Sequence, residues 1–154
     1  MKRFRFSLQQ VLNLKTSQKY QIENEMAALQ RQKLNIESNL NDLTNQWQAE
    51  QRALAMGAGR KIDADYRIRM GYLDFIDQQI VVENKTLLNV VKQISTTRER
   101  LAIVIQEEKV IKKLRDRRYE EHVAAAQKEE QNITDDMVNQ RVVQDILRST
   151  LQDK

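Results

Sequence analysis

From Leu8 onward, apolar side chains return at alternating steps of four and three: Leu8, Leu12, Ile22, Met26, Leu29, Ile36, Leu40, Leu43, Trp47 and Leu54. Lys15, Lys19, Lys33 and Glu50 occupy the remaining positions of the same stripe. A repeat averaging about 3.5 residues keeps an apolar stripe on one side of a helix only if two helices wind around each other left-handedly. A second array follows, in which Tyr66, Leu73, Ile80, Leu87, Ile94 and Leu101 recur every seventh residue. Met70, Ile76, Val90, Val91, Val104 and Ile105 supply its companion positions. After Leu101 the apolar positions shift to Val110, Leu114 and Ala124, and the spacing predicts a break in register there.

Between the arrays lies Met56-Gly57-Ala58-Gly59-Arg60-Lys61-Ile62. Gly57 or Gly59 suits the left-handed conformation that closes a helix, and Asp63 is a natural N-cap for the next one. One short connection between two long heptad arrays predicts an all-α fold, a long antiparallel two-helix coiled-coil hairpin. The expected spans are helix 1 over about 6–55, a turn at 56–62 and helix 2 over about 63–131. At about 1.5 Å per residue the first helix is about 70 Å long and the second about 100 Å. Folding about the turn puts Phe4 and Phe6 near Leu114. Residues 132–154 read as a short, frayed C-terminal helix, with Thr134 and Asp135 as caps and Met137, Val138, Val142, Ile146 and Leu147 as its apolar residues. The whole of 1–154 is then a single hairpin domain.

Composition agrees with this reading. The chain has no proline, no cysteine and three glycines, too little punctuation for the many turns of a compact globular domain. The residues that dominate lose little side-chain freedom in a helix. Without cysteine, and with one histidine, neither a disulfide framework nor a zinc cluster is expected. No apolar run has the roughly 18 residues of a membrane span. The basic N-terminus lacks the apolar core of a signal peptide. A cytoplasmic protein is expected, with no cofactor, no metal and no direct insertion into a membrane. The formal net charge is +4, and the signs are well mixed.

The candidates for chemistry are few. His122 stands alone on a polar stretch. Acidic neighbours such as Glu107-Glu108 and Glu120-Glu121 point about 100° apart on a helix and cannot face each other across a substrate. No phosphate-binding loop or nucleophile motif is present, and a two-helix coil has no interior for a pocket. No catalytic residue is expected. Two stretches suit partners instead. The basic run Lys109, Lys112, Lys113, Arg115, Arg117 and Arg118 is either a solvated face or a surface for an acidic protein. It lacks the aromatic interleaving of a single-strand nucleic-acid site, so no nucleic-acid partner is expected. Tyr72, Phe75 and Ile76 either add packing near the turn or form an aromatic anchor for a partner.

Three stretches, in order, resemble the FliJ family, the small coiled-coil component of the flagellar type III export apparatus, and its YscO-like relatives in virulence secretion. Phe4-Arg5-Phe6-Ser7-Leu8-Gln9-Gln10-Val11-Leu12 is similar to the family's opening. Tyr66 to Ile80, with Tyr72-Leu73-Asp74-Phe75-Ile76, resembles its second-helix signature, and Glu107 to Arg118 followed by Asp135-Asp136 resembles its charged C-terminal half. The resemblance implies a monomeric stalk like that of a rotary ATPase γ subunit. Such a stalk inserts in an export ATPase hexamer, binds the export gate membrane protein and cycles substrate chaperones, at the cytoplasmic face of the inner membrane. It assigns Arg5, Leu8, Leu12, Lys109, Lys112, Lys113, Leu114, Arg117 and Arg118 to the ATPase ring. It assigns Tyr72, Phe75, Ile76, Gln79, Ile80, Val82 and Thr86 to the gate. Gln79 departs from the family pattern, which has an apolar residue there, with Ile76 or Ile80 as the substitutes at hand. The alternatives are a self-associating scaffold and the equivalent stalk of a virulence system.

Overall fold

A computed structural model describes residues 3–57 and 62–152, with side chains described as far as Arg148. Two α-helices account for nearly all of it: α1, Gln9–Met56, and α2, Ala64–Gln152. The described residues contain no strand. The predicted all-α fold of two long packed helices is the observed one. The chain divides into two compact units, Ser17–Ile105 and Met1–Thr16 with Gln106–Lys154.

In the Ser17–Ile105 unit the helices run antiparallel. Arg69 of α2 meets Glu50 near the turn at 3.1 Å, and Arg100 meets Glu25 at the far end at 3.2 Å. Ile36, Val90 and Ile94 are buried together, with Met26, Leu29, Leu40 and Leu87 packed around them. Ile22, Leu73 and Ile76 extend the same seam. Enclosing one such side chain contributes about 1.5–3 kcal/mol, so a thin core suffices when it is spread along two helices. The two ends at the turn differ in kind. Asp63 caps α2 as expected, its Oδ1 accepting the Tyr66 amide at 2.9 Å, with Asp65 adding negative charge in the first turn, where the helix dipole favours it. Gly57 does not adopt the left-handed conformation. Its amide donates to the Leu54 carbonyl at 3.1 Å, so α1 ends by tightening its last turn. Gly59 and the rest of 58–61 lie outside the described residues.

In the other unit α1 begins at Gln9, not near residue 6. The Gln9 amide donates to the Phe6 carbonyl in a turn, and residues before it are not helical. Phe4 sits against Tyr119 and His122 of α2, with ring centroids 5.4 and 5.6 Å away. The expected neighbour, Leu114, borders the same groove as Phe4 and Phe6, but the ring-to-ring contacts fall roughly one to two turns further along α2. Leu12 is buried, and beside it Lys15 and Thr16 reach Glu107 and Glu108 at 2.7 and 2.9 Å.

Two expectations about α2 are corrected. The register does not slip after Leu101. Buried or half-buried positions keep the count through Ile94, Thr97, Leu101, Val104, Glu108, Ile111 and Arg115, while Val110 and Leu114 are exposed. What changes is the chemistry of the seam, which turns polar at Thr97 and Glu108. Nor do residues 132–152 form a separate helix, for α2 passes through them unbroken. The Thr134 hydroxyl donates back to the Glu130 carbonyl at 2.9 Å, which suits a helix interior, and no glycine or proline interrupts the stretch.

Candidate partner-binding surfaces

On α2, Ile68, Tyr72, Phe75, Gln79, Val82 and Thr86 follow one another at steps of four and three, which places them on one flank of the helix. The seam residues Leu73, Ile76 and Ile80 lie alongside. Tyr72 and Phe75 stack on each other, with centroids 6.5 Å apart and planes at 17°, yet they are 41% and 53% exposed. Ile68 and Val82 are also exposed, Gln79 is half-buried, and the Thr86 hydroxyl is turned onto the Val82 carbonyl at 3.1 Å. A preformed aromatic step beside exposed aliphatic side chains is the composition of an interface core. Ile76, by contrast, is 1% exposed. It belongs to the seam and cannot substitute for Gln79 on the surface. Ile80 is half-buried beside it. Ile68 was missed by sequence reasoning, although its spacing of four and seven before Tyr72 and Phe75 carried the signal.

The basic run occupies the other unit. Its cations are not equivalent. Lys112 pairs with Glu108 at 2.8 Å, Arg115 with Asp116 at 2.9 Å and Arg117 with Glu121 at 3.3 Å. Lys109, Lys113 and Arg118 are exposed and have no ion pair among the described residues. Arg5 borders two open grooves on either side of Phe4, and Leu8, Leu114 and Arg118 line one of them. Leu12 does not belong to this surface, because it is 3% exposed in the seam. Of the cations that the resemblance assigns to the ring, Arg5, Lys109, Lys113 and Arg118 have no ion pair among the described residues.

No group of three or more His, Cys, Asp or Glu side chains suited to a metal ion occurs among the described residues. His122 contacts Phe4 and borders one of the grooves beside it. No helix of the described residues is long and apolar enough to cross a membrane.

The model of the family described as flagellar FliJ protein matches residues 4–145. The chain belongs to the FliJ family. It is accordingly a coiled-coil protein of flagellar export. No curated protein and no solved structure matches it significantly. In this FliJ-family chain the matched span contains both the exposed flank Ile68–Thr86 and the basic face at 109–118. Two further features escaped the sequence reading. One is the buried Glu108, which accepts from the Thr16 hydroxyl and from Lys112. The other is the enclosed indole nitrogen of Trp47, which meets no acceptor among the described residues.

Proposed function

We propose that this chain is a non-enzymatic stalk of the flagellar type III export apparatus, contacting the export ATPase ring through its basic face and the export gate through the aromatic flank of α2. The family match over 4–145 carries this reading. Two surfaces of contrasting chemistry on one helical protein support it. The flank from Ile68 to Thr86 offers exposed aromatic and aliphatic side chains to the gate, and Arg5, Lys109, Lys113 and Arg118 offer unpaired charge to an acidic rim of the ring. A helix without proline gives such surfaces a stiff support. On this reading the protein is held at the cytoplasmic face of the inner membrane by its partners, and it passes empty substrate chaperones to the gate.

The deciding experiment titrates the protein into the purified export ATPase while hexamer formation and turnover are followed. Both are expected to rise. Unchanged turnover and unchanged assembly would exclude the ring contact. For the gate, Phe75→Ala is expected to weaken binding to the gate's cytoplasmic portion about tenfold, the loss of one interface anchor. Ile68→Ala should weaken it less.

A further inference from the structure

A groove of about 760 Å³ lies at the turn end of the Ser17–Ile105 unit. Trp47 and Leu54 of α1 and Tyr66, Met70 and Leu73 of α2 line it. Met56 and Ile62 stand at its lip, 91% and 70% exposed. Among the described residues its charges are unbalanced. Asp63 is engaged as the cap of α2, and Asp65 shares Arg69 with Glu50. Asp74 and Asp77 also line the groove, are exposed, and have no ion pair among the described residues. Met70, Asp74 and Asp77 are spaced by four and three, so they share a flank. Phe75 and Val82 belong to the other flank, across the seam from Met70.

An apolar floor bordered by two carboxylates three residues apart, neither of them ion-paired among the described residues, has a definite complement. It suits a helix with aliphatic side chains on one face and lysine or arginine beside them, the charges meeting Asp74 and Asp77 as the apolar face covers Met70 and Leu54. We infer that this groove is a docking site for a cationic amphipathic helix of a partner protein, separate from the gate and ring surfaces. The net charge of +4 opposes the approach of a cationic helix to the chain as a whole. Binding of such a helix therefore reports local complementarity.

Trp47 is the single tryptophan and lines the groove, so its emission reads occupancy directly. The full chain is titrated with a synthetic amphipathic peptide of leucine and lysine about four turns long, and with its leucine–glutamate counterpart. The lysine peptide is expected to shift Trp47 emission saturably, and the glutamate peptide is not. Asp74→Asn with Asp77→Asn should weaken binding about tenfold or more, with helicity by circular dichroism unchanged. Met70→Glu, which puts a charge on the floor, should also weaken it. Glu129→Gln with Glu130→Gln, an exposed carboxylate pair elsewhere, should leave it intact. The inference is overturned if no saturable shift occurs, if the Asp74 and Asp77 variant binds equally well, or if the Glu129 and Glu130 variant loses as much. A shift that grows with protein concentration alone would identify the occupant as a second copy and overturn it too.

Discussion

At the scale of single residues, the seam contains two polar groups whose removal should not do what burial alone suggests. Glu108 is 5% exposed and engaged by Thr16 and Lys112. A buried charge stabilises little once its desolvation is counted, and a well-packed apolar replacement is often better. Lys112 is largely exposed and stays solvated without its partner. Glu108→Leu is therefore expected to raise the thermal midpoint, by about 1 kcal/mol of stability, whereas Glu108→Ala should lower it. Circular dichroism melts compare the two. Trp47 poses the reverse question. An enclosed donor without an acceptor costs about 1–3 kcal/mol, so Trp47→Phe, which removes the donor and keeps most of the ring, should change stability by less than about 1 kcal/mol. Trp47→Ala should cost about 2 kcal/mol, since the side chain is only half-buried. Arg69, between Asp65 and Glu50, has its guanidinium pKa raised further by hydrogen bonds first to Asp65. It is charged at every pH at which the protein is handled.

At the scale of the helices, each end has a different origin. α2 starts where Asp63 accepts an amide, and α1 stops where the Gly57 amide turns back to Leu54. Inside α2, Gly71 sits on the exposed side, and an added Cβ would meet nothing within 4 Å. Gly71→Ala is accordingly expected to stabilise the protein by about 0.5–1 kcal/mol, the conformational freedom that glycine loses in a helix. Denaturant titration measures this. Ile76→Ala removes the most enclosed apolar side chain of the seam and should cost about 2–4 kcal/mol. Most of this level was legible in the sequence. The stripes from Leu12 to Leu54 and from Leu73 to Leu101 appear in the structure as the seam, and the Asp63 cap follows from side-chain chemistry alone. The register beyond Leu101 was misread because an apolar count follows greasy residues. The structure keeps its geometry and accepts Thr97 and Glu108 in the seam, with Glu108 held by Thr16 of α1, which no local window contains. The start of α1 was misjudged for a related reason: Phe4 is held by Tyr119 and His122, more than a hundred residues away.

At the scale of the whole molecule, function follows from which charges are left over after the protein has paired its own. The basic run reads as six equivalent cations, but the structure neutralises Lys112, Arg115 and Arg117 internally. Reversing Lys109, Lys113 and Arg118 to Glu is therefore expected to weaken ATPase association strongly, about tenfold or more at low salt and less as salt rises. Reversing Lys112 and Arg117 should do less to association and more to stability, because Glu108 and Glu121 would then face like charges. Binding measured at two ionic strengths separates the two outcomes. Light scattering is expected to give the mass of a single chain. A stable dimer would instead favour the scaffold reading.

The amino-acid sequence by itself determined the class of this protein: two long helices, their heptad pairing and the motifs of the FliJ family. It could do so because helix periodicity, capping and composition are local properties that a short window records. Only tertiary structure decided which residues of those stripes face outward. It took Leu12 and Ile76 out of the candidate partner surfaces, brought Ile68 to the flank of Tyr72 and Phe75, and left Lys109, Lys113, Arg118, Asp74 and Asp77 without ion pairs among the described residues. Exposure and charge balance depend on the opposite helix, and the distance along the chain to that helix carries no signal in the residue's own neighbourhood.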